Sequence, residues 1–223
     1  GDEDENKRLF RSSYSFTRSK KTEYKNSRGV TKSVKEKSKQ NLPQPGDASG
    51  VAEPVAKVDE SKRPYEESDF PVGEALLARF EYKLVGREIL DGRPALIIEF
   101  APANKKLSEK NIKEKCLNRV AGKAWVDEED LVVVKADIHL TKPVGVIGGL
   151  VGSLQKFNCT FVRKRTLEGL WFTSSMVWHL EGRELIVNRI IDCSEEIRDV
   201  VLVKPVSKPA MKSPSCSMPI WRN

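Results

Sequence analysis

The amino-acid sequence predicts a mainly β (α+β) protein built around an antiparallel sheet. Three observations support this: apolar and polar residues alternate in short runs, the runs recur at regular spacing, and turn-forming pairs such as Asp91-Gly92 and Glu181-Gly182 lie between them. Consecutive runs joined by short turns indicate an antiparallel meander. Because only alternate residues are apolar, one face of the sheet is expected to be wet or to face a cavity.

The net charge of +7 is concentrated in one segment of the chain. The 223 residues include 39 Lys and Arg against 32 Asp and Glu, and 39% of the residues are hydrophobic. Residues 11–40 hold ten Lys and Arg but only two acids, Glu23 and Glu36, and the rest of the chain is close to neutral. The length fits one domain. No apolar run in the sequence is long enough to predict a membrane-spanning helix.

The basic segment is predicted to form a β-hairpin, with strands at roughly 13–25 and 30–40 around the turn-forming residues 26–29. Two interpretations of its charge remain open. The lysines protect an edge strand from pairing with other molecules, or they form a basic docking surface. The candidates for such a surface are Lys20, Lys21, Lys35 and Lys37. The segment lacks a helix-turn-helix or RNA-binding motif, so nucleic acid is an unlikely partner on sequence grounds.

The predicted organisation is a single domain over residues 1–203, followed by a C-terminal tail over residues 204–223. The basic hairpin occupies residues 1–42, and the main sheet occupies residues 70–203. Between them, residues 43–69 form a loop with four prolines and two glycines, which do not favour regular structure.

Within the main sheet, a short helix is predicted at 71–80, and eight strands follow it. The predicted strands are at 82–90, 93–100, 121–126, 132–140, 157–162, 170–180, 184–193 and 200–203. The run from 132 to 140 alternates most regularly, with Ile138 and Leu140 on its apolar side. The run from 170 to 180 places Phe172, Met176 and Trp178 on one face.

Nothing in the sequence predicts catalysis, a metal site or a cofactor. His139 and His179 lie on the polar sides of their predicted strands, where exposed structural histidines are expected, and no nucleophile motif accompanies them. The four cysteines lack the Cys-x-x-Cys spacing of zinc sites. Residues 127–130 form an acidic turn without the calcium-loop pattern, so a solvated hairpin turn is predicted.

A glycine-rich loop at residues 145–152 carries Ile147 and Leu150. No Lys-Ser/Thr pair follows the loop and no predicted helix begins there, so a phosphate-binding loop is not expected. Two interpretations remain: these apolar residues pack under the sheet, or they form a mobile cover over an apolar cavity.

The order of these features resembles the bacterial outer-membrane lipoprotein-sorting family, the LolA/LolB-like proteins, as a divergent branch. The resemblance covers about residues 8–203. It rests on Gly86-Arg87-Glu88 with Asp91-Gly92-Arg93, on the run GKAWVD at 122–127, and on Gly169-Leu170-Trp171. It implies a curved antiparallel sheet that forms an unclosed half-barrel, with a few short helices covering the hollow.

The resemblance also implies a function. It predicts a non-enzymatic protein of the periplasm or cell envelope, with its export signal outside this chain, that holds a lipid or a lipoprotein acyl chain in the hollow. The candidate lining residues are Trp125, Ile138, Leu140, Ile147, Leu150, Phe161, Phe172, Met176 and Trp178; packing in an ordinary core is the alternative for each. The alternative function is an interaction module, similar to an envelope-stress sensor, that uses the basic hairpin against an anionic membrane surface or a partner protein.

Overall fold

The structure is a computed structural model that describes residues 2–43, 77–105, 107–109, 112–146, 152–184 and 187–206. Within these residues the protein is mainly β, as predicted. Two helices are α1 (Asp2–Ser13) and α2 (Ile112–Leu117). The strands are β1 (Tyr14–Lys25), β2 (Thr31–Asn41), β3 (Phe80–Leu90), β4 (Arg93–Pro102), β5 (Val120–Asp127), β6 (Val133–Leu140), β7 (Val144–Val146), β8 (Gly152–Arg165), β9 (Trp171–Glu184) and β10 (Val187–Leu202).

The strands form one antiparallel sheet in the order β2-β1-β10-β9-β8-β6-β5-β4-β3, with the short β7 paired to β8. Most neighbours in this order are also neighbours in sequence, which confirms the predicted meander. The exceptions are the pairing of β6 with β8, which passes over the short β7, and the pairing of β1 with β10, which joins the two ends of the domain. The outermost strands, β2 and β3, do not pair with each other, so the sheet does not close into a barrel.

Two predicted turns are confirmed by their backbone geometry. Asp91 and Gly92 have φ values of +49° and +79° between β3 and β4, as the two central residues of a type I′ hairpin turn require. Gly29 has a φ of +77° between β1 and β2, and the side-chain oxygen of Asn26 accepts hydrogen bonds from the amides of Arg28 and Val30. The basic segment is therefore a hairpin.

Three sequence-based boundaries were wrong. The predicted strands 184–193 and 200–203 are not separate: from Val187 to Leu202 the chain is one continuous strand, β10, because the residues between them pair with β1. Gly182 does not turn the chain: it pairs with Arg189 inside the β9–β10 ladder. The predicted helix 71–80 does not extend to Phe80, which begins β3, and its residues 71–76 lie outside the described residues.

Helix α1 was not predicted, because its sequence is mostly charged. Its acidic first residues and Arg11 in its last turn favour a helix electrostatically. A 12-residue helix of this kind depends on tertiary contacts. Leu9 and Phe10 supply them, buried against Phe16 and Phe172 of the sheet. The Phe10 and Phe172 rings stack with centroids 4.7 Å apart.

Polar contacts fix the helix against β9 and β8. The side chain of Asn6 donates to the carbonyl of Trp171 at 2.6 Å and accepts from the amide of the same residue at 2.9 Å. Arg163 on β8 pairs with Glu3 at 2.7 Å. Helix α1 therefore covers one end of the sheet and does not extend over its centre.

The segments that carry the family resemblance meet in one ion-pair cluster, here called the Arg93 cluster. Asp127 is 1% exposed and accepts two hydrogen bonds from the Arg93 guanidinium, at 2.6 and 2.7 Å. Asp130 accepts from the Trp171 indole at 2.9 Å and from Arg165 at 2.7 Å. The turn after β5 is present as predicted, but it is not simply solvated: hydrogen bonds from Arg93 lower the pKa of Asp127 despite its burial.

Candidate ligand-binding face

In its central rows the sheet has one apolar and one polar face, here called the hollow face and the outer face. Away from these rows, the outer face also buries a small apolar cluster that includes Ala95 and Trp125. Residues directly opposite each other on antiparallel strands point to the same side, so the pairing register identifies the members of each face. One row of the hollow face runs across nine strands: Lys35, Thr22, Cys193, Trp178, Cys159, Ile138, Gly122, Phe100 and Tyr82. The next row on this face is Lys37, Lys20, Glu195, Met176, Phe161, Ala136, Ala124, Ile98 and Leu84.

The row that lies between these two points to the outer face and has the opposite character. It consists of Glu36, Lys21, Ser194, Val177, Thr160, Asp137, Lys123, Glu99 and Lys83. Val177 is its one large apolar member, and it is 55% exposed. From β9 to β3, by contrast, neither hollow-face row contains a charged side chain.

The apolar rows are accessible rather than packed into a dry core. Trp178, Ile138 and Phe161 are each half-buried. At the β3 edge, Tyr82 is 49% exposed and Leu84 is 62% exposed. The hollow face is therefore a broad apolar surface across the centre of the sheet.

A glycine shapes this surface. A Cβ at Gly122 would lie 2.0 Å from the Asp137 carbonyl oxygen and 3.0 Å from the Phe100 ring. The absent side chain thus allows the Phe100 ring to lie across β5 from β4.

Two clefts are present elsewhere in the described part of the molecule. One, of about 390 Å³, lies beside Phe172 and Ile197, and the other, of about 580 Å³, lies beside Leu107 and Asn118. Ile138, Phe161, Met176 and Trp178 line neither of them. Within the described residues, the hollow face is thus a half-buried apolar surface that lies outside these two clefts.

The structure brings together five of the nine predicted lining residues and places two others, Phe172 and Trp125, elsewhere. Ile138, Leu140, Phe161, Met176 and Trp178 share the hollow face. Phe172 lies under α1 and stacks on Phe10. Ile147 and Leu150 lie outside the described residues.

Trp125 lies on the outer face, away from the other predicted lining residues. It pairs with Ile97 on β4 and with Lys135 on β6, whose ammonium lies 4.1 Å from the Trp125 ring centroid. Its indole donates to Glu88 at 2.7 Å. The sequence carried a signal for this placement, because residues 123 and 127, at the same strand parity, are Lys and Asp.

The four candidate basic residues divide between the two faces. Lys20, Lys35 and Lys37 belong to the hollow-face rows, and Lys21 belongs to the outer face. The hairpin that carries them forms the edge of the sheet, where residues 31–40 are all exposed.

Two cysteines flank Trp178 in its row. Cys159 on β8 and Cys193 on β10 are separated by β9, so their Cα atoms lie about 10 Å apart. That distance exceeds the reach of a disulfide, and both thiols are free. Burial raises the pKa of Cys159 to about 11, with a further contribution from Asp137. Cys159 is therefore a small half-buried apolar residue of the hollow face.

His179 lies between two carboxylates on the outer face, a contact that its sequence position did not reveal. Its Nδ1 is 2.6 Å from Asp192, and its Nε2 is 2.9 Å from Glu181. Partial burial lowers the pKa of His179, but the hydrogen bonds to the two carboxylates outweigh it and raise the pKa overall. Lys25 pairs with Asp192 at 2.6 Å and Lys156 with Glu181 at 3.2 Å. His139 is exposed, as predicted.

This arrangement links four strands but does not form a metal site. Across the described ranges, no group of three or more His, Cys, Asp or Glu side chains is placed to hold a metal ion. In the same part of the chain, no helix is long and apolar enough to cross a membrane.

No family model and no curated protein matches the chain. Solved structures do match it. An outer membrane lipoprotein-sorting protein domain from Vibrio parahaemolyticus is 14% identical, with 92% of each chain covered and a TM-score of 0.35. A DUF1329 family protein from Desulfovibrio piger is 14% identical, with 91% of each chain covered and a TM-score of 0.31.

A LolA superfamily protein from Nitrosomonas europaea is 9% identical, with 92% of this chain and 97% of that chain covered and a TM-score of 0.30. The structural matches thus include the family that the sequence resembles. The fold itself is established by the strand pairings described above.

Proposed function

We propose that the protein is a non-enzymatic binding protein of the periplasm or cell envelope that holds an apolar ligand, a lipid or the acyl chain of a lipoprotein, on the hollow face. One observation carries the proposal: two adjacent rows of uncharged, mostly apolar residues cross six strands and remain half-exposed at their centre. An exposed apolar surface of this extent marks a binding site more often than a free surface.

The chemistry of such a site is simple. An acyl chain gains about 0.8 kcal/mol for each CH₂ group that it buries, so an apolar surface suffices without a catalytic group. An open surface also suits a carrier, because the ligand has to leave again. The family resemblance of the sequence supports this function.

The first experiment identifies and measures the ligand. Native mass spectrometry of the full chain, purified without detergent, is expected to show bound lipid. Titration of the delipidated protein with a fluorescently labelled stearate is expected to show saturable binding. The proposal is wrong if the protein carries no lipid and the probe does not bind.

Two neighbouring residues on β9 provide a matched pair of variants. Met176 belongs to the hollow face and Val177 to the outer face. Met176→Asn, which removes apolar contact area, is expected to weaken stearate binding about tenfold, the equivalent of about two buried CH₂ groups. Val177→Asn is expected to leave binding unchanged. Equal effects of the two variants would show that the ligand does not lie on the hollow face.

The alternative function, an interaction module, is favoured by a different observation. Strand β2 is an edge strand whose residues 31–40 are all exposed, and such an edge can pair with a strand of a partner. The hairpin could instead dock on an anionic membrane surface through its lysines. In that case, replacement of the four candidate lysines by glutamate is expected to abolish association with anionic vesicles at low salt. The four are Lys20, Lys21, Lys35 and Lys37. Unchanged association would exclude the hairpin as a membrane-docking surface.

A further inference from the structure

The charge of the β1–β2 hairpin is divided unequally between the two faces of the sheet. The hollow-face positions of these strands include five cations and no acid: Arg18, Lys20, Lys35, Lys37 and Lys39. The outer-face positions mix Lys21 and Lys25 with Glu23 and Glu36. The excess positive charge of the hairpin therefore faces the same side as the apolar rows.

The cations on the two faces also differ in their partners. On the outer face, Lys21 and Lys25 pair with Glu23 at 2.8 and 3.5 Å. On the hollow face, Lys35 and Lys37 form no ion pair with the residues that the structure describes. Lys35 lies over the Tyr24 ring, 5.3 Å from its centroid. Lys35 and Lys37 thus keep their positive charge available for an anion.

One acid separates these lysines from the apolar surface, and it is already neutralised. Glu195 on β10 pairs with Arg18 at 2.5 Å and lies 3.9 Å from Lys20. A negative group that approaches Lys35 or Lys37 therefore does not meet an uncompensated carboxylate.

The basic and apolar parts of the face are continuous. Lys35 and Trp178 are members of one row, and Lys37 and Met176 are members of the next. In each row, three strand spacings, or about 14 Å along the sheet, separate the lysine from the apolar residue. A single molecule with an apolar chain and a charged end can contact both parts.

We propose that the ligand of the hollow face is an anionic lipid, with its acyl chain on the apolar rows and its phosphate at Lys35 and Lys37. This inference rests on the proposed function, and it adds the class of the ligand and the position of its head. Charge complementarity supports it, because the lysines and the apolar residues share one side of the sheet. Lysine is an effective phosphate ligand even without the planar geometry of arginine.

The test compares two lipids that differ only in the headgroup. Lysophosphatidylglycerol is anionic and lysophosphatidylcholine is zwitterionic, and both are used with the same acyl chain at monomeric concentrations. The full-length protein is expected to bind the anionic lipid about tenfold more tightly at low salt, and the difference is expected to shrink as salt is added. Isothermal titration calorimetry measures both affinities.

Two double variants of the hairpin distinguish the effect of charge on the hollow face from the effect of the total charge of the hairpin. Lys35→Gln with Lys37→Gln removes two charges from the hollow face and is expected to abolish the preference for the anionic lipid. Lys21→Gln with Lys25→Gln removes two charges from the outer face and is expected to preserve it. Equal loss in both variants would mean that only the overall charge of the hairpin matters, and no loss in either would mean that the head lies elsewhere; both results overturn the inference.

Failure of this inference and failure of the proposed function give different results. If both lipids bind with equal affinity, the hollow face binds acyl chains but the lysines do not select the head. If neither lipid binds, the proposed function itself fails. Binding of anionic vesicles without binding of monomeric lipid would instead indicate a membrane-docking surface and would also overturn the inference.

Discussion

The centre of the hollow face and the Arg93 cluster show that stability and binding rest on different residues. In the Arg93 cluster, Asp127 is buried and every nearby charge has a partner. At the centre of the hollow face, by contrast, the large apolar side chains of Phe161 and Trp178 are only half-buried. The α1 end of the sheet, around Phe10, resembles the Arg93 cluster in its burial. Both buried regions meet at Trp171, whose backbone bonds Asn6 of α1 and whose indole bonds Asp130 of the Arg93 cluster. The sheet is therefore held firmly at this end, while its apolar centre stays available for a ligand.

The largest expected effect comes from breaking the Arg93 cluster. Asp127→Ala leaves the Arg93 guanidinium without its principal partner and the turn without its hydrogen-bond acceptor. Removal of one partner of a buried ion pair costs about 3–5 kcal/mol, so urea unfolding is expected to show a loss of that size. Asp137→Ala, on the exposed outer face, is the control and should cost less than about 1 kcal/mol. Similar losses would mean that the cluster is no stronger than a surface ion pair.

The next effect compares two phenylalanines that differ in burial. Phe10 is 4% exposed under α1, whereas Phe161 is half-buried on the hollow face. Phe10→Ala is expected to cost about 3–4 kcal/mol of unfolding free energy. Phe161→Ala should cost about half as much, since part of its ring already contacts solvent. If Phe161→Ala proved the more costly, the hollow face would be a packed core.

A ligand on the hollow face is expected to raise the unfolding free energy, whereas the substitutions above lower it. A ligand that binds only the folded protein, at about 100 times its dissociation constant, raises the unfolding free energy by about 2.7 kcal/mol. Labelled stearate should therefore raise the melting temperature of the wild-type protein and of Val177→Asn. It should raise that of Phe161→Ala much less. A uniform increase in all three would place the ligand away from Phe161.

The smallest effect concerns the pH dependence of the outer face. The raised pKa of His179 gives stability that is fully present below its ordinary value of about 6.5 and is lost as the pH rises through the folded value. The lowered pKa values of Asp192 and Glu181 give stability that is present above about pH 4.5 and is lost as the pH falls. The contribution of the three groups is therefore largest between about pH 4.5 and 6.5.

His179→Gln removes the charge from this arrangement. The difference in melting temperature between the wild type and this variant is expected to be greatest near pH 5.5 and smaller at pH 8.5, because neutral histidine no longer pairs with the carboxylates. The His179 side chain is partly exposed, so the effect should stay below about 1 kcal/mol. A difference that grows with pH would contradict the assigned direction of the pKa shift.

The regular alternation of β6 and β9 predicted which side of each strand is apolar. Spacing alone placed Ile138 and Met176 on the apolar sides of their own strands, and the pairing register shows that both sides belong to the hollow face. Trp125 was predicted to line the hollow because its side chain is large and apolar. Its position in the strand, in alternation with Lys123 and Asp127, instead indicated the outer face. Helix α1 was missed because its apolar contacts, Leu9 and Phe10, gain their energy from partners more than 150 residues away in the sequence, such as Leu170 and Phe172.

The sequence by itself determined the strand composition, the hairpin turns and the alternation that makes one face apolar, because these depend on residues that are near each other along the chain. Only the tertiary structure decided which lysines share the hollow face, because the register between β1, β2 and β10 joins residues such as Lys20 and Glu195 that are distant in sequence. The pairing of the strands also brings three motifs that are distant in the sequence together in the Arg93 cluster. A shift of one residue in the β1–β10 ladder would move every side chain of one strand to the other face, and no turn joins these two strands to fix their register.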